Sequence, residues 1–180
     1  MNPEASAHLV NQFNRGNSKA FASLFQMYFP VISYFSRGFI SRMQEAEDIA
    51  SEVFLKLWEL RGNFENIDKI KSFLYLAARN KCLDYLRHEK VKSKREEEII
   101  RLLSTEDNAF LEKEMIAAEL KARMRAAIEK LPFKCRQILN LHYISGLTNE
   151  EIAVRLRISA KTVSNQKFLA IKKLRLDLLK

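Results

Sequence analysis

With 180 residues, 31 Lys+Arg against 22 Asp+Glu and a net charge of +9, the chain is sized for one or two small domains and suits a polyanionic partner, nucleic acid before an anionic membrane. Four glycines and three prolines leave few turns, which favours an all-α fold. Cys82 and Cys135 stand far apart with no C-x-x-C or histidine pattern, so free thiols are expected, and the uncharged stretch Ala20 to Ser36, interrupted by Pro30, falls short of the ~20 apolar residues that a membrane span needs.

Met1 to His8 reads as a loose end, followed by a short helix from Leu9 to Arg15 that Gly16-Asn17-Ser18 breaks. Asn17 or Ser18 can cap the next helix, in which Phe21, Leu24, Phe25 and Tyr28 share a face. Pro30 is expected to kink or restart it, and Ile32, Phe35 and Phe39 carry it on. A third helix, opened by Ser41 or Gln44, repeats Ile49, Val53, Leu57 and Leu60 on one face and Glu45, Asp48, Glu52 and Lys56 on the other. Gly62-Asn63 ends it, and a charged loop carries the single aromatic Phe64. The next helix, opened by Lys71 or Ser72, has Phe73, Leu76, Ala77, Leu83 and Leu86 as its apolar positions. Tyr75, Arg79, Asn80, Lys81, Asp84 and Arg87 lie on its other faces, and interleaved rings and cations are what a single-strand surface uses: bases stack while cations follow phosphates. A plain amphipathic helix with a solvated basic side accounts for the same pattern.

From Glu89 to about Glu119 the chain is charge-dense, with a break at Ser104-Thr105, and reads as a linker with some helix. A second unit then shows Met124, Ile128 and Leu131 as a stripe ended by Pro132, and a helix from Phe133 to Ile144 through Ile138, Leu141 and Tyr143. Gly146 to Arg175 holds two capped helices in register. Thr148 with Glu151 makes a capping box before Ile152, Ala153 and Leu156. Ser159 caps a second helix whose buried stripe is Val163, Ala170 and Leu174, and Lys161, Thr162, Ser164, Asn165, Gln166 and Lys167 lie between those positions. A short capped helix followed by a longer basic one with a polar, amide-rich start is the pattern of a helix-turn-helix that enters a major groove. An ordinary helical hairpin shares the apolar spacing.

The string LPFKCRQILNLHYISGLTNEEIAVRLRISAKTVSNQKFLAIKKLR resembles the fourth region of bacterial RNA polymerase sigma factors. AFASLFQMYFP, EDIASEVFLKLWE and FLYLAARNKCLDYLR resemble the second region, in the same order, and with no third region between them the layout is similar to the extracytoplasmic-function (ECF) group. The likeness runs from about Ala20 to Leu174. It implies an all-α protein of two small helical domains: residues 1–90 as the region 2 unit, 91–118 as linker and 119–180 as the region 4 unit. It implies RNA polymerase core and promoter DNA as partners, with an anti-sigma factor, often membrane-anchored, holding such proteins inactive. The matching positions for polymerase docking are Asp48, Glu52, Phe54, Lys56 and Trp58, an aromatic on a polar face serving as anchor, although Trp58 suits core packing as well. For recognition and opening of the −10 element they are Asn63, Phe64, Lys71, Tyr75, Arg79, Asn80, Asp84 and Arg87. For the −35 element they are Lys161, Thr162, Ser164, Asn165, Lys167, Phe168 and Lys172, with Lys172, Lys173 and Arg175 nearer phosphates. Lys167 stands where the family usually has an apolar residue, so it must snorkel past the core or yield the packing to a neighbour such as Phe168.

The competing functions are a stand-alone helix-turn-helix regulator and a helical nuclease. Asp48 and Glu52 could hold a metal, but no further carboxylate or histidine cluster completes a site, and His8, His88 and His142 sit in unrelated contexts. A cytoplasmic transcription factor without catalysis or cofactor is therefore expected.

Overall fold

The computed structural model describes residues 2–89, 94–104 and 108–178, and among them every element is helical. Thr105 of the expected Ser104-Thr105 break lies outside the described residues. The helices are α1 (Pro3–Asn14), α2 (Ser18–Phe39), α3 (Met43–Glu59), α4 (Ile67–His88), α5 (Lys94–Ser104), α6 (Asn108–Glu129), α7 (Phe133–Leu139), α8 (Asn149–Leu156) and α9 (Ala160–Leu178). They form two compact units, Met1–Lys121 and Ala122–Lys180, so the boundary falls inside α6.

The helix ends follow local signals, some expected from the sequence and some not. The N-terminus is not loose: Asn2 accepts from the Glu4 amide at 3.2 Å, and Pro3, which has no N–H to leave unbonded, opens α1. Asn17 caps α2 through the amides of Lys19 and Ala20. That helix runs through Pro30 without a break. Pro30 and Gln26 are both exposed, so the Gln26 carbonyl that loses its partner faces water. Asn66 caps α4 by accepting from the Lys69 amide at 3.0 Å, which starts the helix at Ile67 rather than Lys71 or Ser72.

In the first unit α2, α3 and α4 wrap a core of fully buried large side chains, among them Leu24, Ile32, Phe35, Phe54, Leu57, Ile70 and Leu74. Phe13 of α1 closes one end in an aromatic cluster with Phe21, Trp58 and Phe64. Each such side chain contributes about 1.5–3 kcal/mol of transfer free energy. Cys82 is buried in this core as a free thiol, and burial pushes its pKa up to about 12. Ile99 and Leu103 of α5 and Ala118 of α6 belong to the same core, with Phe110 against Phe39 at 6.0 Å. The stretch read as a linker is therefore largely two helices seated on the first unit.

In the second unit Ile138, Ile152, Ala153 and Val163 form one buried cluster, and Leu131, Cys135, Leu139 and Ala170 a second. After α7 a π-helical turn, Asn140–Ile144, leads into Gly146, whose φ of 70° a residue with a side chain adopts reluctantly. The capping box of α8 is complete. The Thr148 hydroxyl accepts from the Glu151 amide at 3.2 Å, and the Glu151 carboxylate accepts from the Thr148 amide at 2.8 Å. Arg157 ends α8 at φ 54°, and Ser159 caps α9 by accepting from the Thr162 amide at 3.0 Å. No helix among the described residues is long and apolar enough to cross a membrane.

Because Leu103 is fully buried, Leu103→Ala should lower stability by about 2–5 kcal/mol in urea unfolding; a tethering segment there would give no change. The Thr148 backbone hydrogen bond holds the Glu151 carboxyl below the usual carboxylate range. A pKa lower in the folded than in the unfolded chain stabilises above the ordinary carboxylate range, and that stability is lost as pH falls through the folded value. Thermal melts between about pH 6 and about pH 3 should therefore show a smaller acid-induced fall in Tm for Glu151→Gln than for the parent.

Candidate nucleic-acid interface

Helix α9 meets its neighbours through a stripe that is apolar at its ends and polar in the middle. Val163 and Ala170 are buried, but between them Gln166 accepts from the Cys135 thiol at 3.0 Å. Lys167 donates to Asn149 Oδ1 at 3.0 Å and lies 3.3 Å from His142 Nε2. His142 places Nδ1 2.9 Å from the Leu147 carbonyl, so Nδ1 carries the proton and Nε2 accepts from Lys167. Lys167 thus ties α9 to α8 and to the π-helical turn. It neither snorkels to solvent nor yields its place to Phe168, which is 67% exposed. Its ammonium is engaged by Asn149 and His142 within the unit, against the expectation that it is free for a −35 contact.

The opposite face of α9 carries Lys161, Thr162, Ser164, Asn165, Phe168 and Lys172, all exposed. These are an amide, hydroxyls, cations and a ring on one side of a capped helix, the donor set that reads base edges and holds phosphates. Tyr143, Ile144 and Val154 add exposed apolar surface in the same unit that the sequence reading did not single out.

On α3 the polar face is as expected: Asp48, Glu52 and Lys56 are exposed a turn apart. Glu52 pairs with Lys81 of α4 at 2.5 Å, and Lys56 with Glu59 at 3.0 Å. The aromatics differ. Phe54 is 1% exposed and belongs to the core, so it cannot anchor a partner as expected. Trp58 is half-buried, 5.1 Å from Phe21 and covered by the Arg61 guanidinium at 4.6 Å. The exposed apolar residue beside the acidic positions is Leu55, at 64%. A stripe widened from Ile49, Val53 and Leu57 to include Ala50 and Phe54 would have found this, since both i+3 and i+4 neighbours face the core.

The candidate −10 residues separate into two groups. Asn80, Asp84 and Arg87 are exposed on α4 with Leu76, and Asn63 is exposed with its amide donating to the Leu60 carbonyl at 3.0 Å. Phe64 is not an isolated loop aromatic: it packs on Phe13 and Phe73, and its carbonyl accepts from the Asn14 amide at 2.7 Å. Tyr75 and Arg79 are buried, against the expectation of a surface role. Tyr75 donates to Glu119 at 3.1 Å and Lys71 pairs with the same carboxylate at 2.6 Å. Burial, then the Glu119 charge, pushes the Tyr75 pKa well above its usual value, so the phenol keeps its proton. Arg79 donates to the Leu103 carbonyl and Arg87 to the Ser104 hydroxyl at 3.3 Å. Among the described residues no group of three or more His, Cys, Asp or Glu is placed to hold a metal ion.

Two family descriptions match the two units: Sigma-70 region 2 over residues 24–91 and Sigma-70, region 4 over residues 121–174. RNA polymerase sigma factor SigZ of Bacillus subtilis is 30% identical, covering 74% of this chain and 72% of its own. The ECF RNA polymerase sigma factor SigW of the same organism is 28% identical over 87% of this chain and 88% of its own. The RNA polymerase sigma-H factor of Pseudomonas aeruginosa is 28% identical over 93% and 90%. A stand-alone regulator shares a helix-turn-helix with these proteins but not the region 2 match. The chain belongs to the sigma-70 family of RNA polymerase sigma factors, in its ECF group.

Proposed function

We propose that the chain directs RNA polymerase core to promoters from three separate surfaces: the α3 polar face for polymerase, α4 for the −10 element and the outer face of α9 for the −35 element. The observation that carries this reading is that Ser164 and Asn165 point outward from a fixed helix-turn-helix in a chain that also holds a region 2 unit. The protein does no chemistry of its own. Strand opening is driven by binding, since unstacking costs a few kcal/mol per base and must be offset by contacts to the opened strand. It acts in the cytoplasm, where polymerase and chromosome are, and an anti-sigma protein holds it in check.

The polymerase-facing group is Asp48, Glu52 and Lys56 with Leu55 as the exposed apolar anchor; Trp58 supports it from beneath. Within α9, Asn165 reads a base, with Lys161, Thr162, Ser164 and Phe168 around it and Lys172 on phosphate. Lys167 fixes the roll of the helix. One enzyme holding both DNA-binding units makes the second contact intramolecular, so modest affinities multiply.

Transcription in vitro with polymerase core over a random promoter library tests the function and yields the recognised sequence; no enrichment of any promoter overturns it. On the promoter recovered, Asn165→Ala should cost about 1–3 kcal/mol of discrimination at one base position, read as relaxed preference there. Asp48→Lys should raise the concentration needed to saturate polymerase core by about tenfold or more while leaving the thermal melt unchanged. Unaltered competition against the parent for core would remove α3 from the docking surface.

A further inference from the structure

Four of the α4 positions assigned to the −10 element are already occupied from within the chain. Lys71 and Tyr75 share the Glu119 carboxylate of α6, and Arg79 and Arg87 reach the Leu103 carbonyl and the Ser104 hydroxyl at the end of α5. We infer that α5 and the first half of α6 together are an internal competitor of the −10 strand, seated on α4 until DNA displaces them. The inference rests on the proposed assignment of α4 to the −10 element.

The chemistry of the seat supports competition. The groups that these helices offer are a carboxylate, a carbonyl at the negative end of a helix and a hydroxyl, and a nucleic-acid strand offers phosphate oxygens and base carbonyls to the same donors. A cation and a protonated phenol converging on one carboxylate oxygen form a site for an anionic oxygen. Both occupants cannot hold these donors together. Asn80 and Asp84, on the adjoining face, stay open to solvent, so a strand can engage α4 before the helices leave.

The seat has two parts. Ile99, Leu103 and Ala118 are buried in it, with Ile100, Phe110, Leu111 and Met115 packed against the same core, while the Lys71–Glu119 pair at its edge is more than a third exposed, where solvent screens it. Competition of this kind multiplies the intrinsic affinity by the fraction of molecules in which the seat is open.

The test uses the full chain and a fluorescent, mixed-sequence single-stranded DNA of about 15 nucleotides, read by anisotropy. Glu119→Ala should tighten binding about threefold or more, by weakening the seat without touching a DNA-facing residue. Glu112→Ala removes an exposed carboxylate from the same helix and should have less than half that effect. Equal effects of the two variants, or none, overturn the inference; if both still start transcription with polymerase core, the sigma-factor reading stands without it. A parent chain that directs no transcription overturns both. In a second measurement, amide exchange over residues 94–104 should speed up when the chain is saturated with the strand, and unchanged protection overturns the inference independently.

Discussion

Burial of one side of α4 against α2 and α3 constrains everything the first unit can present. Ile70, Leu74, Ala78 and Cys82, spaced four residues apart, are all completely buried. At about 100° per residue that stripe leaves two sectors. One holds Lys71, Tyr75 and Arg79, turned to α5 and α6. The other holds Leu76, Asn80 and Asp84 and faces solvent. A helix that supplies the core on one side can serve partners only from what remains, and here part of that remainder is already engaged. The α3 helix obeys the same rule: Ala50, Val53, Phe54 and Leu57 take the inner face, so the polar residues and Leu55 are all that a partner can meet.

The second unit solves a different problem, how to fix the roll of a recognition helix whose own apolar stripe is thin. Val163 and Ala170 are its buried residues, with Ala160 and Leu174 partly buried beside them, and apolar contact is non-directional. Hydrogen bonds are directional, and those of Gln166 to Cys135 and of Lys167 to Asn149 and His142 permit one orientation. The polar middle of the stripe therefore gives up some apolar burial in return for a defined outer face, on which Ser164 and Asn165 stand.

Much of this was legible in the residues because capping signals are local. Asn17, Thr148 and Ser159 act where their side chains suggested, and the all-α, two-unit organisation follows from the apolar periods and the scarcity of Gly and Pro. What escaped was tertiary. Asn2-Pro3 is a start signal hidden by its terminal position. The cap at Asn66 was obscured by the charged loop around it. Tyr75 and Arg79 look like surface residues until a covering element is known, and that element is hard to see: α5 contributes Ile99 and Leu103, one turn apart, among charges that read as linker. A polar or basic residue on an amphipathic helix is ambiguous by nature, because a hydrogen-bonded buried Arg and a solvated one leave the same letter in the sequence.

The composition of the α4 seat bears on what kind of contact it is. The packing that joins α1, α2 and α3 is dominated by rings, with Phe13, Phe21, Phe25 and Phe54 meeting at centroid distances of 5.0–6.4 Å, mostly tilted or edge-on. The α5–α6 contact adds a single ring, Phe110 against Phe39 at 6.0 Å, to aliphatic groups, and edges them with donors that have partners of another kind in a nucleic acid. An apolar centre with an ionic rim is how exchangeable interfaces are built, since the rim charges recover hydration when the partner leaves. The same Lys71, Tyr75 and Arg79 that hold these helices are thereby kept ordered and desolvated in advance. A strand that replaces them meets side chains whose rotamer entropy has already been spent, so the covering contact both delays binding and prepares the surface for it.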